Sequence, residues 1–449
     1  MSVEGASLTS GSVGRHLFRQ TLPMVIGILA IMSVGLVDAY FIGQLGRDPL
    51  TAVSFIFPVV MALSSLGVGI IAAIASVVAR ALGAGQRQRA QSLVALGVVA
   101  AAAFGLLVTL ALLLGKTTLF EWMNVSPTLA PLVDAYMTPF SLGFPLLLLN
   151  MAGNGALRAQ GHAGQASLIL MAMAIANLIL DPILITGAGL FDGFGIQGAA
   201  YATVLGWVLA CVLSLSLTAK SPVGLSLTAL RNADPGTDLR ALARVGAPAA
   251  VSNSVNPMGL SILTALLAQY GDAAVAGFGA GGRLQALVVV PLLALSSSIG
   301  GIVGQNWGAG YGDRARRALW MALAFCLIYG LLAGALLAWF SEPLGAMFTD
   351  DADVLAAIES YLWISVWGYA GFGALIVVNG AFNAIDRAYW ALGQSVLRVT
   401  VFMIPVAIGL SMVLESRSIY TAELIANVLG GVIAVMLGRA LLDDRWLRK

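Results

Sequence analysis

The sequence predicts an all-α integral membrane protein: twelve transmembrane helices in two parallel six-helix repeats, forming two lobes around a central cavity. Three observations predict it. The chain has 449 residues, of which 59% are apolar and only 10% charged, where soluble domains carry about 25% charged residues. The apolar residues gather in runs of roughly 20, the length that crosses about 30 Å of hydrocarbon as a helix. The two halves align with each other at a constant offset of 225 residues.

So few charges cannot cover a solvated surface, so most of the surface faces lipid. The spans must be helices, because in lipid every backbone N–H and C=O has to be satisfied inside its own segment. The alternating ten-residue pattern of a membrane β-barrel is missing. The net charge of +2 gives no sign of a nucleic-acid partner. Cys211 and Cys326 lie inside apolar runs and read as free thiols packed like small hydrophobes. The first apolar run is full length and follows a polar stretch, so it reads as a signal-anchor that stays in the membrane.

The runs place spans near residues 22–42, 52–76, 93–114, 131–156, 166–186, 199–219, 246–269, 275–303, 318–340, 355–379, 390–413 and 421–441. Basic residues set the orientation. Arg15 and Arg19 precede span 1, and Arg80, Arg87, Arg89, Arg240, Arg244, Arg314, Arg316 and Arg317 fall in even-numbered loops. Arg445, Arg448 and Lys449 close the chain. Odd-numbered loops hold only Arg47, Lys116 and Arg417, and one is acidic at Asp350, Asp351 and Asp353. The bias predicts a multi-pass protein of the plasma membrane, here a bacterial inner membrane, with both termini in the cytoplasm.

The repeat shows in residues that membrane composition does not supply by chance. LGAGQRQRAQSL from Leu82 answers WGAGYGDRARRAL from Trp307, Asn154-Gly155-Ala156 answers Asn379-Gly380-Ala381, Pro23 answers Pro248, and Tyr136 answers Tyr361. Six spans per unit is an even number, so both halves enter the membrane from the same side and are related by an axis along its normal. The expected division is a first lobe over 1–219, a cytoplasmic linker over 220–245 that contains Pro222, Pro235 and Gly236, and a second lobe over 246–449.

Ionisable residues well inside the spans are Asp38, Asp181, Arg283 and Arg398. A charge at the bilayer centre costs about 2.5–3.5 kcal/mol on the insertion scale, so each needs a partner, a water-filled cavity or a proton. Asp38 lies in GLVDAYFIGQLG, and Asp181 in NLILDPILI. Asn177 sits four residues before Asp181, on the same helix face. Pro182 cannot donate to the carbonyl of Leu178, which leaves an acceptor beside Asp181. This all-oxygen set suits a proton or a small hard cation. Two carboxylates in an apolar lobe do not both ionise cheaply, so Asp38 and Asp181 are expected to share a proton; sodium held by Asp38, Asn177 and Asp181 is the alternative. At the repeat offset Asp38 corresponds to Leu263 and Asp181 to Val406, so this acid pair belongs to one half only, as a functional feature of a duplicated scaffold would. Arg283 is expected chiefly to pair with an acid or to hold polar contacts between helices, with a role in substrate binding as the lesser alternative. Met32, Phe55, Phe57, Met61 and Met258 are candidates to line an adaptable cavity, against the plainer reading of lipid-facing or core residues.

With these residues in view, the chain resembles the MATE (multidrug and toxic compound extrusion) transporters over nearly its whole length. GLVDAYFIGQLG, NGALRAQG from Asn154 and NLILDPILI from Asn177 carry the likeness. The placement of acids is similar to the DinF-like branch. By that resemblance Asp38, Asn154, Asn177 and Asp181 form the cation site, Thr203 joins it as a weaker member, and Pro23 marks where span 1 bends. The NorM-like branch has acids in spans 7 and 10. Here span 7 reads SNSVNPMG with no acid, and span 10 has only Glu359 near its outer end. The resemblance implies a monomeric antiporter that exports organic cations or amphipathic drugs in exchange for protons or sodium, with no cofactor.

Two other classes fit the sequence less well. An intramembrane enzyme lacks its groups: His16 and His162 both fall outside the predicted spans, no HExxH or GxSxG motif exists, and GKTT from Gly115 has Leu110 where a P-loop needs glycine. A lipid-linked oligosaccharide flippase of the related superfamily would want a strongly basic cavity, and this chain offers two acids against Arg283.

Overall fold

The computed structural model describes residues 7–187 and 192–441. Arg445, Arg448 and Lys449 lie outside the described residues. Twelve membrane-length helical segments follow one another: span 1 Val13–Gln44, span 2 Arg47–Gly83, span 3 Arg87–Trp122, span 4 Ala130–Ala159, span 5 Ala163–Thr186, span 6 Ile196–Ala219, span 7 Pro235–Leu267, span 8 Asp272–Gly308, span 9 Gly312–Trp339, span 10 Ala352–Ala384, span 11 Ala388–Leu414 and span 12 Arg417–Leu441. Among the described residues eleven of these are apolar enough to cross a bilayer. Span 7 falls short, because its first turns carry Asp238, Arg240 and Arg244 and its middle carries Ser252, Asn253, Ser254 and Asn256.

Several helices overrun the predicted boundaries. Span 1 starts at Val13 and span 7 at Pro235, because hydropathy registers the part of a helix in hydrocarbon and not the part that projects beyond it. The expected linker 220–245 is therefore helical from Pro235 onward. Asp234 caps that helix by accepting from the Thr237 amide at 3.3 Å, and Pro235 at the first position has no N–H to leave unpaired. His16 likewise falls inside the span 1 helix, and Lys116 inside span 3, where it pairs with Asp134 of span 4. Cys211 and Cys326 are free and buried.

The lobes meet at the end of the bundle that carries Arg80, Arg158 and Arg314, here termed the basic end. The contacts obey the repeat. Arg80 donates to the Ala384 carbonyl at 2.9 Å, and Gln305 donates to the Ala159 carbonyl at 2.7 Å. Arg80 and Gln305 are repeat mates, and so are Ala159 and Ala384. Ser76 donates to the Asn383 carbonyl, while its repeat mate Gly301 lies against the carbonyl of Arg158, the mate of Asn383. The two halves are thus related by a quasi-two-fold axis through the crossing of spans 2 and 8.

Toward the opposite, far end the lobes part. On span 2, Gly69, Ala73 and Ser76 face the other lobe and are buried; two and three turns farther along the same stripe Ala62 and Pro58 are exposed. On span 8, Ala294, Gly301 and Gly304 are buried, while Leu287 and Arg283 are exposed. On span 7, Ala250 is buried against Gly69, and Asn253 and Ser261 are exposed. Faces that seal the interface at one end are uncovered at the other, so the bundle encloses a cleft that opens at the far end.

Candidate functional site

The first lobe brings Asp38 of span 1 and Asp181 of span 5 face to face, close enough for their carboxyls to interact directly. Asp181 is fully buried, and Asn177 donates to its Oδ1 at 3.4 Å. Asp38 Oδ1 and Asp181 Oδ2 are both enclosed without a hydrogen-bond partner. Buried polar oxygens are ordinarily satisfied, so two unsatisfied carboxylate oxygens in one pocket make a place for a proton or a cation. The backbone contributes too. Asp181 ends the α-helical part of span 5, and Pro182–Thr186 continues as a π-helix, a wide turn of the kind found at functional positions. Span 6 presses close here because Gly206 has no side chain: a Cβ there would stand 2.9 Å from Asn177 Oδ1.

Thr203 reaches the same pocket through Tyr136 of span 4, whose hydroxyl interacts with Thr203 and which also faces Asp38 and Asp181. In the sequence Tyr136 carries no mark of a site residue beyond being the repeat mate of Tyr361. Asn154 is placed elsewhere. Its Nδ2 donates to the Ala166 carbonyl at 3.1 Å, and span 5 rises roughly 22 Å between Ala166 and Asp181 at about 1.5 Å per residue. Asn379 makes the corresponding link in the second lobe, donating to Ser395 at 3.0 Å. Both asparagines clasp neighbouring helices, as a feature kept in both repeats should. One turn nearer the acids, Asn150 is fully buried with both amide atoms unpartnered. Its repeat mate is Leu375, which is the signal that could have found it.

The second lobe is not free of buried acid. Glu423 of span 12 is almost wholly buried, accepting from Gln285 at 2.8 Å and from Ser365 at 3.2 Å. Tyr361 donates to Gln285 Oε1 at 2.9 Å, so each lobe sets a repeat-mated tyrosine beside a carboxyl. Glu423 lies near the predicted end of its span, where an acid reads as a helix-end charge. Arg398 supplies the compensating cation: it is buried, donates to Asn427 at 2.6 Å and to Asn256, and lies over the Phe372 ring at 5.2 Å. Arg283 departs from expectation, for it is exposed and makes no hydrogen bond or ion pair among the described residues. Phe57, Met61 and Met258 are exposed, whereas Phe55 packs against the first-lobe core.

The sequence profile of the MatE family matches residues 23–183 and again 248–408. The chain belongs to that family. The two matched stretches begin 225 residues apart, which is the repeat offset. Among MATE relatives, a FAD transporter of Shewanella oneidensis is 35% identical over 97% of this chain and 96% of its own. The probable multidrug resistance protein YoeA of Bacillus subtilis is 27% identical over 89% and 87%. Among solved structures, the Asp-to-Asn mutant of the Vibrio cholerae MATE transporter VcmN superposes with a TM-score of 0.92 at 28% identity, covering 99% of both chains. This MATE protein is therefore a multi-pass membrane transporter of small molecules and not an enzyme.

Proposed function

We propose that the chain is a secondary exporter that moves small organic molecules outward in exchange for an inward-moving cation. The single observation that carries this is the facing pair Asp38 and Asp181, with an unsatisfied oxygen on each. One proton between them relieves both oxygens at once. Sodium would draw on the same two acids with Asn177 and Thr203, and needs both acids ionised together. The proton is the better fit.

In the proposed cycle the basic end faces the cytoplasm in a plasma membrane, following the bias of Lys and Arg toward that side. A cation entering the far-end cleft binds the first lobe and favours release of substrate. The lobes then rock about the crossing of spans 2 and 8, with Pro23 as the proposed hinge of span 1. One proton moving down about 100 mV gains roughly 2.3 kcal/mol, and one pH unit about 1.4 kcal/mol. Together these sustain a substrate gradient on the order of several hundred-fold. The protein is proposed to act as a monomer.

Two substrate readings are open to test. The acid pair favours cationic or amphipathic drugs. The relative named a FAD transporter, similar over nearly the full length, favours an aromatic molecule bearing phosphate. The test is export from proteoliposomes under imposed pH and sodium gradients applied separately. Export driven by the pH gradient in sodium-free buffer and abolished by protonophore is the expected result. Export that persists without a pH gradient or membrane potential and follows sodium alone assigns the same residues to sodium.

A further inference from the structure

Arg283 stands in span 8, eleven residues past Asp272, roughly 16 Å in from that end of the helix and so within the membrane-spanning stretch, in its far-end half. Other guanidinium groups inside the bundle have partners: Arg158 donates to Ser297 at 2.5 Å, and Arg398 to Asn427 and Asn256. Arg283 has none among the described residues and is exposed.

Helix periodicity says what it is exposed to. Arg283 lies about five turns from Gly301, and Gly301 is the residue at which span 8 meets the Arg158 carbonyl of the first lobe. The two therefore share one face. Gly277 and Gly281 point the other way, against Ala357 and Tyr361 of the second-lobe core. Arg283 thus extends the interface stripe of span 8 beyond the point where the lobes separate, and its side chain enters the cleft. Nothing on that wall neutralises it: between Asn253 and Leu287 the chain has no acid other than Asp272, at the far end of the helix. Asn253 and Ser261 add uncharged polar groups on the facing stripe of span 7.

We propose that Arg283 is the anion-binding element of the substrate cleft, taking a phosphate or carboxylate oxyanion of an aromatic substrate. A guanidinium presents a planar fork of N–H donors that pairs with such oxyanions through two parallel hydrogen bonds. The cleft is then bipolar, with the acids enclosed in the first lobe and the cation free on the second wall. This rests on the export reading only for the cleft being where substrate binds.

The test is equilibrium binding to purified full-length protein in detergent, without ion gradients, read by ligand fluorescence. The probes are FAD, riboflavin, which has the same ring system and no phosphate, and ethidium as a cationic dye. Wild type is expected to bind FAD more tightly than riboflavin. Arg283→Gln should weaken FAD binding roughly 10- to 100-fold and change riboflavin by less than about twofold, with ethidium unchanged or tighter. Arg283→Lys, which keeps the charge, should retain part of the FAD affinity and its sensitivity to salt, and serves alone if the glutamine variant fails to fold. A wild type that does not prefer FAD to riboflavin, or a glutamine variant that loses both equally, overturns the proposal. Because no gradient is applied, failure of cation-coupled export in vesicles leaves this outcome separately readable.

Discussion

Gly83 and Gly308 each lie against a backbone carbonyl of the other's helix, Gly83 on Gln305 and Gly308 on Arg80. All four positions obey the 225-residue repeat. At this crossing the two lobes touch backbone to backbone, which only glycine allows.

A methyl group at either glycine should separate the lobes at the basic end. Gly308→Ala is expected to destabilise by about 1–3 kcal/mol, the usual scale of overpacking, seen as a lower melting temperature in detergent. Gly83→Ala should do the same. Gly35→Ala, where a Cβ meets nothing within 4 Å, is the control; an equal drop there would show that the crossing is not special.

Asp38→Asn keeps the side-chain shape and removes the titrating group. Normal membrane insertion with near-total loss of gradient-driven dye export is the expected outcome. Transport at the wild-type rate in matched vesicles would remove Asp38 from the coupling mechanism.

Asn154→Ala and Asn379→Ala should behave alike, since both side chains clasp adjacent helices. Each is expected to lose about 1–2 kcal/mol of stability and to keep much of its export at equal expression. If Asn154→Ala alone abolishes export, Asn154 belongs with the acids after all.

Glu423→Gln should retain near-normal export, because the amide still meets Gln285 and Ser365. Arg398→Ala leaves buried Asn427 and Glu423, and half-buried Asn256, without their cation, and should destabilise by roughly 3–5 kcal/mol. Thermal unfolding of the purified variants separates the two; a larger loss from Glu423→Gln than from Arg398→Ala would contradict a compensated cluster.

Much of the fold was legible in the sequence, because hydrocarbon allows few solutions: a run of roughly 20 apolar residues must be a helix, and constant offsets such as Pro23 with Pro248 betray duplication. Span 7 tested that rule hardest, since its polar middle binds Arg398 through Asn256 and pairs Ser252 with Ser395 at 2.8 Å. In the site, Asn177 and Asp181 were readable because they sit one turn apart on one helix. Tyr136 and Glu423 were not, since their meaning depends on which helix lies beside them. Asn154 was drawn to the site by family likeness, while its duplication in Asn379 pointed to packing.

The unequal lobes have an electrical consequence. In the second lobe Arg398 and Glu423 cancel, so the charge that lobe carries through the membrane field when it moves is the constant one of Arg283. In the first lobe the charge on Asp38 and Asp181 changes with every proton taken or released, each worth about 2.3 kcal/mol per 100 mV if it crosses the full field. Proton occupancy therefore changes the charge of one arm of the machine alone, and the occupancy-dependent part of its displacement current reports a single pocket.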